Sequence, residues 1–498
     1  MELYSENENY KLYQGNMLDM LEVIQPETID SIITDPPYGL TSITKRCGKE
    51  NSKPIQYGKD GDFSRLDRGF MGKEWDGSGI EYNVEAWQKC YEVLKPGGYL
   101  LAFGGSRTFH RIACAIEDAG FEIRDTIMWL YGSGFPKSMS LSKGLEAREK
   151  LGNAGTRNKR KIEQACDTEE YTLKQTNNGA MGEIIETTRK QYIPDTELAK
   201  QWQGWGTALK PSFEPIIVAR KPFKGSLVDN VMEYGVGGIN IDECRVGNET
   251  IKGGTMPKMN SQSDGINIYN FGKKNAERIE REDSTGRFPA NTILTYDDTD
   301  FDEVSGGFPN TKGNGNIRHN NNDGKGYNCY SNYGNCDTKG YEDSGSASRY
   351  FYCAKASKKD RDEGLEDFEL KGAKELLNRE ENSDGASWNG KYSSGNAYAG
   401  AGCPKKNTHP TVKPTELMQY LVRLVSPDGA TILDPFNGSG STGKAVMYEN
   451  REHNKNYKYI GIELTEEYLP ISKARIEYVC NLEEEKDPQM TLFECMEE

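Results

Sequence analysis

The feature that most constrains the fold is an apolar segment that leads directly into a glycine-rich loop and then a helix-forming segment, at residues 430–445. Gly438, Gly440 and Gly443 match the pattern G-x-G-x-x-G. This order is typical of nucleoside sites in α/β proteins, because the glycines let the backbone turn tightly and approach the ligand. The next apolar segment ends in Glu463, twenty positions beyond Gly443. A carboxylate there can accept both hydroxyls of a ribose, so we expect a nucleoside-binding α/β sheet.

Two kinds of nucleoside cofactor fit this pattern. A dinucleotide such as NAD or FAD would place its pyrophosphate at the glycine loop and the N-terminus of the following helix. S-adenosylmethionine has no phosphate and instead carries an amine and a carboxylate. Asp434 could bind the amine, and Lys413, just before a predicted helix from Thr415 to Val425, could pair with the carboxylate. A lysine before such a helix is also a common surface residue, but the two groups together favour S-adenosylmethionine.

A second motif lies near the start of the chain, after the apolar segment 29–33, and reads Thr34-Asp35-Pro36-Pro37-Tyr38-Gly39. The Asp35 carboxylate and the Pro36 carbonyl could each accept one N–H of an exocyclic amine, which would direct the nitrogen lone pair toward a methyl donor. Each proline fixes its φ at about −65° and lacks an N–H, so the loop would be rigid. The same residue types also end ordinary strands, and the motif alone leaves both interpretations open.

Several segments together resemble the β class of DNA amino-methyltransferases. They are Asp35-Pro36-Pro37-Tyr38, His409-Pro410-Thr411-Val412-Lys413-Pro414, Asp434-Pro435-Phe436-Asn437-Gly438-Ser439-Gly440 and Glu463. In that family the catalytic motif precedes the cofactor motif and a target-recognition region lies between them, and this chain has that order. The resemblance implies an α/β fold: a permuted Rossmann-like S-adenosylmethionine-dependent methyltransferase sheet with an inserted, irregular target-recognition region.

The resemblance also implies roles for individual residues. Asp35 and Pro36 would hold the target amine, Pro37 would stiffen the loop, and Tyr38 would stack on a base flipped out of the duplex. The implied cofactor-binding residues are Asn16, Met17, Lys413, Asp434, Phe436, Gly438, Ser439, Gly440 and Glu463. Asn16 departs from the family, in which Asp is usual at this position, although an amide can also donate and accept at an adenine edge.

The expected reaction is site-specific transfer of a methyl group from S-adenosylmethionine to adenine N6 in double-stranded DNA. Asp35 favours adenine, because cytosine-N4 enzymes of the family often carry Ser at that position, and cytosine-N4 methylation is the nearest alternative. Cytosine-C5 chemistry would need a nucleophilic cysteine after a proline, and no Pro-Cys pair occurs. More distant alternatives are an inert DNA-binding paralogue, an NAD-dependent oxidoreductase, and an RNA or protein amine as acceptor.

The net charge of −15 needs an explanation, because DNA binding relies on Lys and Arg at phosphates. Charge is uneven along the chain: residues 137–163 hold eight basic side chains and three acidic ones. From this segment we expect the DNA contacts Lys137, Arg157, Lys159, Arg160 and Lys161. A solvated insertion would have the same composition.

Breaks in the pattern divide the chain into segments. These are a catalytic half at 1–136, a basic insertion at 137–200, a returning sheet strand at 201–224, a target-recognition region at 225–404, a cofactor-binding half at 405–480 and an acidic tail at 481–498. In the catalytic half and the returning strand, the predicted sheet strands are 29–34, 98–103, 121–130 and 214–219, with helices near 84–94 and 108–119. Alternating strands and helices favour a parallel sheet covered on both faces.

The long middle region is rich in Gly, Asn, Ser, Asp and Tyr, and either disorder or nucleic-acid binding would suit it. Aromatic residues interleaved with Lys and Arg favour loops that stack on bases. They are Tyr327, Tyr330, Tyr333, Tyr341, Tyr350, Phe351 and Tyr352. Target recognition is therefore the preferred interpretation.

Composition limits location and cofactors. No apolar run is long enough to span a bilayer and the N-terminus lacks a signal pattern, so a cytoplasmic chain without membrane contact is expected. The eleven cysteines contain no C-x-x-C pair, and Cys329 and Cys336 have only His319 nearby, so no metal site is indicated. A homodimer and a cognate restriction enzyme are open as partners.

Overall fold

The structure is a computed structural model of the 498-residue chain. It describes residues 2–39, 56–57, 63–64, 79–131, 138–152, 162, 165–176, 184–251, 255–257, 278–280, 282–295, 310–312, 317–319, 337–339, 344–354, 358–371 and 406–482. The chain divides into two compact units: Met1–Gly132 together with Phe213–Glu498, and Ser133–Ser212.

The first unit is built on a ten-stranded sheet. Its strands are β1 (Glu2–Glu6), β2 (Tyr10–Gln14), β3 (Ile29–Thr34), β4 (Leu94–Phe103), β5 (Glu122–Tyr131), β6 (Phe213–Arg220), β7 (Thr292–Thr295), β8 (Tyr352–Cys353), β9 (Thr431–Asp434) and β10 (Lys458–Glu463). Their order across the sheet is β1-β2-β10-β9-β3-β4-β6-β5-β7-β8. β1 and β6 are antiparallel to their neighbours, and the other pairs are parallel. The carboxyl ends of the parallel strands therefore share one edge, where open α/β sheets form their ligand crevice.

Helices cover both faces of this sheet. In the part of the chain that the structure describes, the α-helices are, in chain order, α1 (Met17–Leu21), α2 (Val84–Val93), α3 (Phe109–Asp118), α4 (Leu141–Leu151), α5 (Glu197–Gln201), α6 (Leu227–Tyr234), α7 (Lys358–Asp362), α8 (Thr415–Val425), α9 (Ser441–Glu452) and α10 (Leu469–Cys480). Buried side chains of α1, α2 and α3 form one hydrophobic cluster with the sheet, and those of α8, α9 and α10 form another.

The central strands are apolar on both faces because both faces are covered. In β3, Ile32 belongs to the cluster with α1 to α3, and its neighbour Ile33 belongs to the cluster with α8 to α10. Leu100 and Leu101 divide in the same way in β4. Successive side chains of a strand point to opposite faces, so a doubly covered strand needs a continuous apolar run. This explains why these segments show no polar alternation in the sequence.

The predicted α/β fold class is confirmed by this topology, and the helix predicted from Thr415 to Val425 has those bounds. The strand predicted at 98–103 instead begins at Leu94. The predicted helix near 84–94 and the predicted strand left residues 95–97 unassigned. In the structure Leu94 pairs with Ile29 and Tyr99 with Ser31, so the chain stays in the sheet across an irregularity.

The middle region contributes to the main sheet, which the sequence interpretation did not expect. β7 pairs with β5 and β8 pairs with β7, so the two strands widen the sheet at one side. Strands of four and two residues are too short to show a period. Antiparallel ribbons of the first unit pair Gln56–Tyr57 with Phe63–Ser64, Val246–Ile251 with Ser284–Arg287, Thr255–Pro257 with Arg278–Glu280, Asn310–Lys312 with Ser344–Ser346 and Ile317–His319 with Asp337–Lys339.

The second unit, Ser133–Ser212, contains α4, α5 and a hairpin of Thr168–Thr176 with Ile184–Tyr192. It extends beyond the predicted insertion at 137–200, because Leu141 N donates to Trp205 O and Met139 N donates to the Thr207 hydroxyl. The flanking strands of the first unit pair with each other, Phe213 opposite Leu130. In the chain, the second unit is therefore inserted between two strands, β5 and β6, that pair with each other.

Candidate active site

The two sequence motifs lie side by side at the carboxyl edge of the sheet. β3 and β9 are neighbouring parallel strands, with Ser31 paired to Ile432. Asp35 follows β3 directly, and Asp434 is the last residue of β9. The Thr34 hydroxyl donates to Asp434 Oδ1 at 2.6 Å, which links the ends of the two strands. Segments about 400 positions apart in the chain thus form one site.

The glycines of the loop are required by close packing. Gly440 has a φ of 73°, and a Cβ there would lie 2.6 Å from Ser472 Oγ. At Gly443 a Cβ would lie 2.5 Å from the ring of Tyr459. Gly440 thus allows the turn into α9, whereas Gly443 lets α9 pack tightly on β10.

Arg475 of α10 binds the glycine loop through hydrogen bonds to Ser439 and Ser441. Its Nη1 donates to Ser439 O at 2.8 Å and to the hydroxyls of Ser439 and Ser441 at 3.1 Å each. The side chain is fully buried. Sequence reasoning missed this residue, because a single arginine in a C-terminal helix carries no motif.

Glu463, predicted to bind the ribose, ends β10 beside the glycine loop. Its Oε2 accepts from Gly438 N and its Oε1 accepts from Thr465 N, both at 2.7 Å. Burial raises the pKa of Glu463 to about 7. The two backbone donors lower it, and the charge of Asp434 raises it by a smaller amount. Its carboxylate therefore changes protonation near neutral pH while it faces the loop.

Asp434 organises the loop with both oxygens. Besides the Thr34 hydroxyl, Oδ1 accepts from Phe436 N at 3.1 Å, and Oδ2 accepts from the Thr442 hydroxyl at 2.6 Å. Burial raises the pKa of Asp434 to about 6, although these donors oppose the shift. The predicted contact with a cofactor amine stays a prediction.

The predicted adenine-contacting residues lie at the end of the next strand. Gly15 N donates to Glu463 O at 3.0 Å, which fixes the chain beside β10. Asn16 caps α1 by accepting from Leu18 N at 3.0 Å. Met17 is buried in the same cluster against which the half-buried Phe436 packs. These side chains lie at the carboxyl edge of the sheet beside Glu463, and their contact with a cofactor stays a prediction.

The catalytic loop is held rigidly where it leaves β3. Pro36 and Pro37 are buried, and Tyr38 is half-buried. The Tyr38 carbonyl accepts from the hydroxyls of Thr108, at 2.8 Å, and Tyr82, at 3.2 Å. The backbone that presents Tyr38 is thus anchored by two elements other than its own strand.

Asp35 has one occupied and one open oxygen. Oδ2 accepts from Lys413 Nζ at 2.5 Å. Oδ1 is buried and has no hydrogen-bond partner in the part of the chain that the structure describes. A buried carboxylate oxygen without a donor is energetically unfavourable, so the site is completed when a donor arrives.

Lys413 lies at the catalytic loop. Its Nζ is 3.5 Å from Glu214 Oε2, 5.3 Å from the centroid of the Tyr38 ring and 4.9 Å from that of Phe103. Only 6% of its side chain is exposed. Its predicted pairing with a cofactor carboxylate stays a prediction, and in this structure its partners are carboxylates of the protein.

The segment that carries Lys413 also reaches the glycine loop. His409 Nδ1 is 2.7 Å from Thr411 O, and a Cβ on Gly438 would lie 2.9 Å from His409 Nε2. Burial lowers the pKa of His409 to about 3, so the imidazole is neutral at pH 7. The segment therefore packs on the cofactor loop at one end and contacts the catalytic loop at the other.

Glu214, the second residue of β6, was not identified from the sequence. The Tyr38 hydroxyl donates to its Oε2 at 2.9 Å. Burial, together with the charges of Asp35 and Glu214, raises the pKa of Tyr38 well above its usual value. The phenol is therefore a hydrogen-bond donor throughout the physiological pH range.

A buried ion network tethers α7 to the cofactor half. Lys444, whose side chain is fully buried, is 2.7 Å from Asp360 and 2.8 Å from Glu363. Asp360 also accepts from Thr415 N at 2.8 Å and lies 3.9 Å from Arg475 Nη2. These cations hold the pKa of Asp360 below its usual value despite burial. The segment lies within the predicted target-recognition region, yet it packs on the glycine-loop helix.

The structure describes only some of the other predicted residues. The predicted DNA contacts, most of the tyrosines of the middle region, the cysteines Cys329 and Cys336 and nearly all of the acidic tail lie outside the described residues. Tyr352 is described, and it belongs to the sheet. Its ring stacks on Tyr420 of α8 with centroids 4.0 Å apart and planes at 14°. For this residue the expected base stacking is replaced by packing, because β8 places it against α8.

Two further features of the described residues bear on location and metals. In the second unit Glu146, Asp167 and Asp195 are close enough to share a cation. Lys150 Nζ is 2.8, 3.0 and 3.3 Å from their oxygens and already supplies that charge. None of the helices that the structure describes has the length and apolar character needed to cross a bilayer.

Comparison with curated proteins finds bacterial methyltransferases. Type II methyltransferase M.HindIII of Haemophilus influenzae is 24% identical over 258 residues, which are 46% of this chain and 64% of the relative. Type II methyltransferase M2.LlaDCHI of Lactococcus lactis subsp. cremoris is 31% identical over 25% of this chain and 43% of its own length. DNA adenine methyltransferase YhdJ of Escherichia coli is 36% identical over 14% of this chain and 21% of its own. The chain thus spans less than two thirds of each of these relatives.

Two solved structures match the chain with low sequence identity and low TM-scores. M1.HpyAVI matches at 13% identity with a TM-score of 0.32, over 95% of this chain and all of that one. The cytosine-N4-specific PvuII DNA methyltransferase matches at 12% identity with a TM-score of 0.35, over 99% of this chain and 94% of that one.

A family model described as DNA methylase, for N6 and N4 enzymes, matches residues 29–474. That range begins at β3, which leads into the catalytic loop, and ends within α10, which supports the glycine loop. It therefore covers both halves of the site. The chain belongs to the N6/N4 DNA methylase family.

Proposed function

We propose that this protein is a site-specific DNA methyltransferase that methylates adenine N6 of a flipped base with S-adenosylmethionine as the donor. The observation that carries the proposal is the arrangement at Asp35. Its Oδ1 is buried and has no donor among the described residues, and Asp35 directly follows the strand next to the one that leads into the glycine loop. An exocyclic amine is the kind of donor that would satisfy this oxygen.

The charges at the sheet edge support S-adenosylmethionine over a dinucleotide. Asp35, Asp434 and Glu463 all lie at the ends of neighbouring strands, and their negative charge opposes a pyrophosphate. The family to which the chain belongs uses S-adenosylmethionine. When bound, this cofactor supplies an electrophilic methyl group on a positively charged sulfur. The N-terminus of α9, which begins at Ser441, favours a carboxylate nearby.

The residues of the chain would act on the acceptor. Asp35 Oδ1 would accept one N–H of the amine, and the Pro36 carbonyl the other, so that the nitrogen lone pair points toward the methyl group. The methylated nitrogen must then lose one proton, and Asp35 is the carboxylate within reach. Tyr38 would stack on the flipped base, whose extraction from the duplex is unfavourable by a few kcal/mol. No covalent intermediate with the protein is required.

Adenine is preferred to cytosine on two grounds. Asp35 occupies the position at which cytosine-N4 enzymes of the family often carry Ser, and one relative is named a DNA adenine methyltransferase. Cytosine N4 is the second candidate, because its exocyclic amine presents the same two N–H donors to Asp35 and Pro36.

The test is a methylation assay with purified protein, tritiated S-adenosylmethionine and genomic DNA, followed by mass spectrometry of the nucleosides. N6-methyladenine is the expected product, and N4-methylcytosine would select the second candidate. Asp35→Ala should lower turnover at least ~100-fold, the range of acid–base groups, with cofactor affinity within about twofold by calorimetry. Asp118→Ala, an exposed aspartate at the end of α3, is the matched control. Unchanged turnover of Asp35→Ala would refute the catalytic role, and binding of NAD in place of S-adenosylmethionine would refute the reaction.

A further inference from the structure

Glu214 stands at a position that no motif marks. β6 runs antiparallel to β4 and β5, so its first residues lie at the edge where its neighbours end. Gly104 N donates to Pro215 O at 3.0 Å and fixes the chain next to Glu214. About a fifth of the Glu214 side chain is exposed. The start of β6 thus places a carboxylate at the edge of the sheet where β4 and β5 end.

Three groups converge on this carboxylate. The Tyr38 hydroxyl is 2.9 Å from Oε2 and the Tyr131 hydroxyl is 3.4 Å from Oε1. Lys413 Nζ, which also binds Asp35, is 3.5 Å from Oε2. Glu214 therefore contacts the ring predicted to stack on the base and shares a lysine with the predicted amine acceptor.

We propose that Glu214 is a positioning residue for the acceptor base: it orients the Tyr38 ring through the phenol and holds Lys413 between two carboxylates so that Asp35 Oδ1 stays open. The inference deepens the proposed function and rests on it. Glu214 itself contacts neither reactant and acts through Tyr38 and Lys413.

The first part follows from the freedom of an aromatic side chain. The carbonyl of Tyr38 is anchored by Thr108 and Tyr82, but these bonds leave the two side-chain torsions free. A bond from the hydroxyl to a carboxylate fixes the far end of the ring and is stronger than a bond between neutral groups. A ring held at both ends is prepared for stacking before the base arrives.

The second part follows from charge balance. Lys413 carries one positive charge and is nearly buried between the negative charges of Asp35 and Glu214. With both carboxylates present, the lysine is attracted in two directions. Among the described residues, it donates a hydrogen bond to Oδ2 of Asp35 and none to Oδ1. Without the Glu214 charge, the balance of attraction shifts toward Asp35, where the lysine competes with the amine for the carboxylate.

The experiment compares Glu214→Gln, Glu214→Ala and Tyr38→Phe in the full-length protein. Glutamine still accepts from the phenol but lacks the charge, alanine lacks both, and Tyr38→Phe removes only the hydroxyl. Glu122→Gln is the matched control, since Glu122 pairs with Arg220 at 2.8 Å at the other end of the same two strands. Turnover, KM for a duplex that carries the mapped site, cofactor affinity and 2-aminopurine fluorescence at the target base are measured for each.

We expect Glu214→Gln to lower kcat about 10-fold and Glu214→Ala to lower kcat/KM about 100-fold, the range of one charge-assisted bond. Cofactor affinity and melting temperature should stay at wild-type values. Base flipping, read by 2-aminopurine, should weaken in Glu214→Ala and Tyr38→Phe. A double variant that combines Tyr38→Phe with Glu214→Ala should lose less activity than the product of the two single losses, because both substitutions remove the bond between the phenol and the carboxylate.

The outcomes separate the two proposals. A wild-type protein that transfers no methyl group to DNA overturns the proposed function and this inference with it. An active wild type whose Glu214→Gln and Glu214→Ala variants match Glu122→Gln in kcat and KM overturns the inference alone. Independent, multiplicative losses for Tyr38→Phe and Glu214→Ala, or a fall in cofactor affinity that accounts for the loss of rate, also overturn it.

Discussion

Replacing Asp360 by asparagine removes the charge that balances two buried cations beside the glycine loop. Lys444 and Arg475 have fully buried side chains, and after the substitution Lys444 would still pair with Glu363 at 2.8 Å. Breaking a buried pair by removing one partner destabilises a protein by about 3–5 kcal/mol. Asp360 keeps 18% of its side chain exposed, so we expect the lower end, about 3 kcal/mol. Because Arg475 holds Ser439, cofactor affinity should also fall.

The assay is urea unfolding at pH 7, with hydrogen exchange of the α9 amides as a local readout. The folded-state pKa of Asp360 is lowered, so its stabilisation is present above the pKa of the unfolded chain, about 4, and is lost as pH falls through the lower folded value. The difference between wild type and Asp360→Asn should therefore shrink below pH 4. Asp367→Asn, an exposed aspartate of the same segment, should change stability by less than ~0.5 kcal/mol. A loss below about 1 kcal/mol for Asp360→Asn at pH 7 would refute the assigned role of the network.

Three further predictions concern the cofactor end and the sheet edge. Burial raises the folded pKa of Glu463 to about 7, so the free protein should lose stability as pH rises through that value. The affinity for S-adenosylmethionine, measured by calorimetry, should instead increase between pH 6 and 8, because the ionised carboxylate accepts the ribose hydroxyls. A pH-independent affinity of the wild type, or the same pH dependence in Glu463→Gln, would contradict the ribose role. Gly440→Ala should lower stability by at least about 1–2 kcal/mol in thermal unfolding, because φ is 73° and the new Cβ would lie 3.0 Å from Ser472 Cα; a stable variant with normal cofactor binding would show that the loop can move. Tyr352→Ala should lower stability by about 2–3 kcal/mol through the lost stack on Tyr420 while DNA affinity is retained, and weaker DNA binding at unchanged stability would restore the nucleic-acid role.

Much of the fold could be predicted where segments are apolar on both faces and end in strong breakers. β3 ends just before Asp35 and β9 ends at Asp434, each followed by a proline one position later, and α8 follows Pro414, so their bounds follow from composition. β7 and β8 could not be predicted, because four and two residues carry no period and their place depends on pairing with β5. The compact unit Ser133–Ser212 includes residues on both sides of the predicted insertion, and the hydrogen bonds of Trp205 and Thr207 with residues 139–141 leave no trace in the sequence.

The site shows the same division. Motifs predicted that Asp35, Asp434 and Glu463 would gather at one edge, since each ends or directly follows a strand of a parallel sheet. Glu214 could not be predicted, because its place depends on which strands β6 pairs with and in which direction. The contact of Lys413 with Asp35 was likewise not predicted, since this lysine, just before a predicted helix, was expected to pair with the carboxylate of the cofactor.

The pairing of Phe213 with Leu130 has a consequence for how such a chain can change over time. The residues that flank the second unit are already partners in the sheet, so a unit of any size between them closes the same hairpin. Loop-closure entropy rises only with the logarithm of length, about 0.6 kcal/mol for each doubling. Replacement of Ser133–Ser212 by another module, or by a short turn, would leave the register of β5 and β6 intact, and with it the place of Glu214 beside Tyr38. The scaffold can therefore acquire or lose a module at this hairpin while the chemistry at the sheet edge is inherited unchanged.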